Sequence, residues 1–148
     1  GPAIFSQVRI GRHGRPFLCR KLRTMYADTP SAPTHELDAR AVTPSGRVLR
    51  RGKLDELPQL WNVIRGEMSL VGPRPVTRAE LQRYGEDSAS YLALRPGLTG
   101  KWQVSGRNDI SYSGRVALDS AYARDFSIRG DLTILLQTVG VVLGATGK

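Results

Sequence analysis

The 148-residue chain has the length of a single domain, and its 40% hydrophobic residues can form one core, which excludes a disordered tail. The formal net charge of +9 is concentrated in residues 1–53, which hold 11 Lys or Arg against 3 Asp or Glu. This asymmetry indicates a surface that faces anions, such as a phosphorylated substrate, a nucleic acid or an anionic membrane. The single Cys19 excludes an internal disulfide, and no stretch is apolar for long enough to predict a membrane span.

The first predicted elements are two β-strands joined by a turn. Residues 5–10 alternate apolar with polar side chains, as a half-buried strand does, and residues 17–23 can return as its partner. Residues 11–15 supply the turn of this N-terminal β-hairpin. Residues 28–44 are polar and interrupted by prolines, which predicts a loop with a short helix near residues 35–40.

A helix is predicted over residues 54–64, where apolar side chains recur at helical spacing. Pro58 limits where this helix can begin, because proline lacks the N–H that positions beyond the first turn require. Asp55 is therefore predicted at or beside the N-cap and Glu56 in the first turn. Gly66 is predicted to end the helix.

The middle of the chain predicts short extended segments around another helix. Residues 68–71 are predicted to form a buried strand, and Thr77 with Glu80 forms a capping box that opens a helix ending at Gly85. Residues 95–100 predict a rigid turn that leads into a strand over residues 101–104.

Two helices are predicted near the end of the chain. Val116, Tyr122 and Phe126 fit the first, and Asp131 is predicted to cap an apolar helix over residues 132–143. We expect this helix to pack on the core, and a position in the membrane interface is the alternative. The whole pattern predicts one α+β domain over residues 1–148, dominated by helices, with the N-terminal hairpin and short strands.

Asp55 and Glu56 form the carboxylate pair with the clearest chemical potential. The helix dipole would stabilise a carboxylate here by roughly 0.3–1 kcal/mol. Two carboxylates about 5 Å apart repel by roughly 3 kcal/mol at an effective dielectric constant near 20. Repulsion prevails, so one member titrates closer to neutral pH unless a divalent metal or an arginine cluster keeps both ionised. An ordinary N-cap followed by a favourable first-turn Glu is the alternative interpretation.

Several cations are suited to phosphate. Arg74 stands between two prolines that restrict its backbone, Lys21 and Arg23 share one face of the predicted strand, and Arg107 follows a glycine. Each also fits an ordinary surface residue, so the residues alone predict only a basic domain with a carboxylate pair and phosphate-suited cations. The chain has no phosphate-binding P-loop, dinucleotide fingerprint, His-rich metal motif or nucleophile elbow.

Taken together, four segments resemble the bacterial sugar transferases, the monotopic phosphoglycosyl transferases that prime polysaccharide synthesis. Leu22 and Glu67 replace residues that are commoner in the family. The segments that carry the resemblance, in the family's order, are residues 21–25 (KLRTM), 54–75 (LDELPQLWNVIRGEMSLVGPRP), 95–100 (RPGLTG) and 102–108 (WQVSGRN).

The resemblance implies a catalytic domain that transfers a sugar-1-phosphate from a UDP-sugar to polyprenyl (undecaprenyl) phosphate. It implies a covalent phosphosugar on Asp55, with Glu56 binding magnesium (Mg2+), and a role in priming exopolysaccharide, capsule or O-antigen synthesis. The residues that follow Trp102 are similar to those of larger members of the family, which carry galactose phosphate or glucose phosphate. The residues that it assigns to substrate phosphates are Lys21, Arg74 and Arg107, with Arg50 and Arg23 as weaker candidates.

The resemblance also implies a location at the cytoplasmic face of the bacterial inner membrane, with the basic first third near anionic headgroups. We expect docking and full activity to depend on the family's upstream hydrophobic re-entrant helix, which this sequence does not contain. A homo-oligomer stays open as a further partner. An alternative of a different class is a basic lipid-binding or nucleic-acid-binding module with purely structural carboxylates. Aromatic residues do not interleave with the basic ones, which argues against nucleic acid.

Overall fold

The computed structural model describes residues 2–30, 37–105 and 111–144. Its first feature is an antiparallel hairpin of β1 (Ile4–Ile10) and β2 (Pro16–Leu22), in register from Ile4 opposite Leu22 to Ile10 opposite Pro16. A 3₁₀ helix (Arg12–Gly14) makes the turn, with His13 and Gly14 in the left-handed region at φ 62° and 78°. The predicted hairpin is confirmed.

Helix α1 (Pro44–Arg51) follows the hairpin, and the sequence analysis did not predict it. Thr43 caps this helix by accepting a hydrogen bond from the Gly46 N–H at 2.9 Å, and Pro44 occupies the first turn, where its missing N–H is tolerated. Gly46 packs directly on the backbone of Thr24, where a Cβ would collide. A 3₁₀ helix (Ala39–Ala41) agrees with the short helix predicted nearby, and residues 31–36 lie outside the described part.

The helix predicted over residues 54–64 is divided in two, and Asp55 is not its N-cap. Leu54–Glu56 form a 3₁₀ helix, and α2 (Gln59–Ile64) begins after Pro58. The division follows from Pro58, which can start a helix but cannot continue one through the residues before it. The turn that holds Asp55 and Glu56 is instead closed by a bond from the Leu57 N–H to the Leu54 carbonyl at 3.2 Å. Gly66 ends α2 at φ 79°, as predicted.

The second half of the fold contains a pair of short parallel strands. Strands β3 (Ser69–Val71) and β4 (Gly97–Thr99) pair through Ser69 opposite Gly97 and Val71 opposite Thr99. Helices α3 (Arg78–Gln82) and α4 (Ser88–Leu92) lie between them in sequence, and the predicted capping box of Thr77 and Glu80 is present. The prediction of a strand over residues 101–104 is wrong. Lys101–Val104 form helix α5, because β4 ends at Thr99 and the chain turns to bury Trp102 and Gln103.

Two longer helices complete the described chain, and both correct a detail of the prediction. Helix α6 (Tyr112–Arg124) buries Val116 and Tyr122, but Phe126 lies beyond its end and is exposed. Helix α7 (Ile128–Leu143) begins earlier than predicted, and its cap is Ser127, which accepts from the Gly130 N–H at 3.0 Å. Asp131 lies in the first turn and accepts the Tyr122 hydroxyl at 2.6 Å.

Helix α7 packs on the core with one face only. Ile134 is buried in a cluster with Val71 and Tyr122, so the expected core packing is confirmed for this face. The other face leaves Leu136 and Leu143 75% and 80% exposed. Within the described ranges no helix has the length and apolarity needed to cross a membrane. The fold is thus a mixture of helices and short strands.

Candidate active site

The predicted acids and most of the predicted cations line a single pocket beside the hairpin. Its walls come from β1, β2, α1, the 3₁₀ turn before α2, the loop after β3, and helices α5 and α6. A smaller cavity shares Lys21, Glu56, Arg74 and Trp102 with the pocket, so Glu56 and the proline-braced Arg74 border the same space. The charged pocket residues are Arg9, Lys21, Arg23, Arg50, Lys53, Asp55, Glu56, Arg74 and Arg115.

Asp55 and Glu56 both contribute to the pocket, but their surroundings differ. Asp55 is only 8% exposed. Glu56 lies between two ammonium groups, with Lys21 Nζ 3.7 Å from Oε1 and Lys53 Nζ 3.5 Å from Oε2. Neither acid is an isolated surface charge, and the cations around them are suited to holding a polyanion.

The pKa of Asp55 is raised above its usual value. Burial is the largest cause and repulsion by Glu56 the second, while Lys21, Lys53 and Arg50 act in the opposite direction. The sequence argument predicted the correct direction of this pKa shift from the repulsion between the two carboxylates alone. It could not include burial, because the desolvation of one side chain depends on how the whole pocket closes around it.

Lys53 is a pocket residue that the sequence analysis missed. Its backbone is left-handed, at φ 59°, immediately before the 3₁₀ turn that carries the acids. A non-glycine residue rarely adopts this conformation. The conformation lets residues 53 and 56 face the same pocket, and the signal in the sequence was the Gly52-Lys53 pair that follows α1.

Arg50 is held at the pocket wall by the segment that follows β2. Its Nε donates to Thr24 Oγ1 at 3.1 Å, and the Thr24 carbonyl in turn accepts the Thr43 N–H at 2.9 Å. Burial lowers the pKa of Arg50, against the opposing effect of Asp55 and Glu56. Arg50, a weaker candidate from the sequence, is therefore built into the site.

The predictions for Arg23 and Arg107 have different outcomes. Arg23 lines the pocket, where its guanidinium lies 5.5 Å from the Phe5 ring centroid and its Nε donates to the Pro2 carbonyl at 2.8 Å. These contacts anchor it near the start of β1. Arg107 lies outside the described residues, so its role remains a prediction.

Arg74 lies in the pocket as one of a cluster of arginines around Trp102. Its guanidinium lies 5.4 Å from the Trp102 ring centroid, and that of Arg115 lies 5.3 Å from the same centroid. Arg74 NH1 is also 3.8 Å from Glu80 Oε1, while Arg9 NH1 is 3.1 Å from Glu80 Oε2. The sequence analysis missed Arg9, Trp102 and Arg115 as site residues, although Trp102 lies in a segment that carries the family resemblance.

Asn62 fixes the position of α2 and therefore of the turn before it. This side chain is fully buried. Its Oδ1 accepts the Arg20 N–H at 3.3 Å, and its Nδ2 donates to the Leu18 carbonyl at 2.8 Å and to Glu67 Oε2 at 2.6 Å. Because Leu18 and Arg20 belong to β2, Asn62 joins the acid-bearing segment to the strand that carries Lys21.

Asp119 supports the arginine side of the pocket from α6. It accepts the Tyr84 hydroxyl at 3.1 Å and the backbone N–H of Arg74. Burial raises the pKa of Asp119 to about 7, while these hydrogen bonds and the charges of Arg74 and Arg115 act to lower it. Asp119 therefore titrates near neutral pH, directly behind the loop that presents Arg74.

Glu56 and the neighbouring Asp55 are the pocket carboxylates that could hold a divalent cation. Within the described part of the chain, no group of three or more His, Cys, Asp or Glu could hold a metal. Mg2+ commonly uses one or two protein carboxylates and completes its coordination with water and phosphate oxygens. Glu56, with Asp55 beside it, meets that requirement.

The family model for bacterial sugar transferases matches residues 1–145, and the chain belongs to this family. It is 47% identical to a UDP-galactose-lipid carrier transferase of Erwinia amylovora and 45% identical to an undecaprenyl-phosphate galactose phosphotransferase of Salmonella typhimurium. Each alignment covers 99% of this chain and 34% of the relative, so the chain spans about a third of their length. A UDP-glucose:undecaprenyl-phosphate glucose-1-phosphate transferase of Caulobacter vibrioides is 43% identical, with 97% of this chain and 57% of the relative covered.

Proposed function

We propose that this chain is the catalytic domain of an enzyme that transfers a hexose-1-phosphate from a UDP-hexose to undecaprenyl phosphate. The observation that carries the proposal is the buried Asp55, next to Glu56, in a pocket lined by Lys21, Lys53 and Arg50. The relatives' names, which specify galactose and glucose, support a hexose. Priming of exopolysaccharide or capsule synthesis is the role that we propose for the product.

The reaction proceeds in two displacements at one phosphorus atom. In the first, an Asp55 carboxylate oxygen attacks the phosphorus that bears the sugar, the bond to the bridging oxygen breaks, and UMP leaves with that electron pair. In the second, an oxygen of undecaprenyl phosphate attacks the same phosphorus, and the Asp55–phosphorus bond breaks to restore the carboxylate. Covalent catalysis lets a water-soluble donor and a lipid acceptor use the pocket in turn.

The charges of the pocket suit this chemistry. The donor brings two phosphate groups, and Lys21, Lys53 and Arg50 supply positive charge beside the nucleophile. These cations also favour the ionised, nucleophilic form of Asp55 against the effect of burial. Glu56 would hold Mg2+, which when bound neutralises charge on the diphosphate. The ammonium groups now near Glu56 can then turn to phosphate oxygens.

We propose that the domain works at the cytoplasmic surface of the bacterial inner membrane. The 3₁₀ turn and α2 leave Leu57, Trp61 and Ile64 at least half exposed, next to the segment that carries the acids. Exposed apolar side chains at helical spacing suit the boundary between headgroups and acyl chains. A lipid acceptor would then reach the pocket without leaving the membrane.

The test uses UDP-galactose and UDP-glucose labelled separately at the two phosphates. With Mg2+, we expect the protein to retain label from the phosphate that bears the sugar and to release the other phosphate as UMP. Asp55→Asn should lower both signals by at least about a thousandfold, because the nucleophile is lost. Asp125→Asn, at an exposed residue after α6, is the matched control and should leave both unchanged.

Two outcomes would contradict the proposal. Labelling that survives Asp55→Asn would show that another residue is the nucleophile. Binding to nucleic acid or anionic lipid that falls steeply with salt and ignores Asp55, without UMP release from any UDP-sugar, would instead support a binding module.

A further inference from the structure

Two guanidinium groups share one aromatic ring in the pocket. Arg74 comes from the loop after β3 and Arg115 from the second turn of α6, yet both lie within 5.4 Å of the centroid of the buried Trp102 ring. Arg9 on β1 lines the same pocket. Three remote parts of the sequence thus bring like charges together, which costs free energy unless anions compensate.

The carboxylates nearby balance this charge only in part. Glu80 is shared between Arg9 and Arg74. Asp119 is only partly ionised at neutral pH, because burial raises its pKa to about 7. Burial and Arg74 lower the pKa of Arg115, and its buried Nε has no hydrogen-bond partner among the described residues. An anion bound here would supply the missing charge and the missing acceptor.

The proposed reaction supplies two such anions in turn. UMP, which leaves first, and undecaprenyl phosphate, which enters second, are both phosphate monoesters with a dianionic headgroup. Both displacements occur at the phosphorus bonded to Asp55, and in-line geometry places the leaving and the entering oxygen on the side opposite the Asp55 oxygen. A single phosphate site at that position would serve both steps.

The family resemblance already assigns Arg74 to substrate phosphates; we infer that Arg115, which shares the Trp102 ring with it, completes a subsite for phosphate monoesters that holds UMP as it leaves and the lipid phosphate as it enters. The inference rests on the proposed function. Its location is suitable because Arg74 and Trp102 line the small cavity that also contains Glu56 and Lys21. The planar guanidinium fork can donate two parallel hydrogen bonds to a phosphate, and stacking on an aromatic ring restricts its motion.

The experiment removes the charge of Arg115 and measures both anions. Calorimetric titration with UMP and with farnesyl phosphate, a short water-compatible stand-in for the lipid acceptor, gives the two dissociation constants without turnover. For Arg115→Gln we expect both constants to rise about 10- to 100-fold, the effect of losing a charge-assisted hydrogen bond. The first-step rate and the acceptor KM should worsen in parallel. Arg124→Gln, at an exposed arginine at the end of the same helix, should leave all four quantities unchanged.

Further variants keep the test decisive. If Arg115→Gln unfolds, as judged by circular dichroism, Arg115→Lys retains the charge but loses the planar fork, and we expect intermediate constants for both anions. The inference is overturned if a folded variant binds either anion as tightly as the wild type, or if UMP and farnesyl phosphate bind together rather than in competition. Failure of the proposed function looks different, because then the wild-type protein itself releases no UMP.

Discussion

Replacement of the buried Asn62 tests how much its hydrogen bonds to β2 contribute to the stability of the fold. In the wild type this side chain makes three hydrogen bonds, two of them to backbone groups of Arg20 and Leu18. Asn62→Ala removes all three at once. The substitution touches neither Asp55 nor Glu56, so its effect on them is transmitted through the position of α2.

The magnitude follows from the groups that lose a partner. Leaving the Arg20 N–H and the Leu18 carbonyl unsatisfied costs about 1–3 kcal/mol each. Glu67 contributes little, because its side chain is 24% exposed and can turn to water. We therefore expect a loss of about 4 kcal/mol, a large part of the 5–15 kcal/mol typical of a folded domain. At roughly 2–4 °C per kcal/mol, Tm should fall by about 8–16 °C.

The assay is urea and thermal unfolding followed by tryptophan fluorescence and circular dichroism. Ile64→Ala, in the same helix at a residue that is 76% exposed, is the control and should change the free energy of unfolding by less than about 0.5 kcal/mol. A loss below about 1 kcal/mol for Asn62→Ala would refute the reasoning, because water would then satisfy the strand edge as well as Asn62 does.

Two more substitutions test charge and backbone strain. Because the folded-state pKa of Asp119 is about 7, above its ordinary 3.8, the folded state binds the extra proton and its stability falls as pH rises between those values. Asp119→Asn should remove this slope, so the variant gains stability relative to the wild type from pH 5 to pH 8 in urea titrations. A difference in unfolding free energy between the two proteins that stays constant over this pH range would contradict the raised pKa of Asp119. At Lys53, φ 59° predicts that Lys53→Gly is more stable than Lys53→Ala by about 1 kcal/mol, although both remove the same ammonium group. Equal stabilities would mean that the left-handed conformation is not strained.

Local chemistry in the sequence was enough to predict several elements. The hairpin, the capping box of Thr77 and Glu80, and the end of α2 at Gly66 each depend on a few neighbouring residues. A local signal of the same kind, a capping residue followed by proline, is present at Thr43-Pro44 and indicates α1. The sequence analysis overlooked it within a proline-rich stretch. The error at residues 101–104 is of another kind. Pairing of β4 with β3 determines where extended structure ends, and no local pattern contains that information.

The sequence by itself identified the adjacent carboxylate pair and the family. Asp55 and Glu56 are adjacent in the chain, so they remain neighbours in any fold, and their motif is long enough to specify the bacterial sugar transferases. Tertiary structure alone decided how strongly Asp55 is desolvated and which cations surround it. Arg9, Arg74 and Arg115 are separated by dozens of residues, and only the packing of β1, the loop after β3 and α6 around Trp102 brings them to one pocket. Desolvation and Coulomb energies depend on distances in space, which the order of residues does not contain.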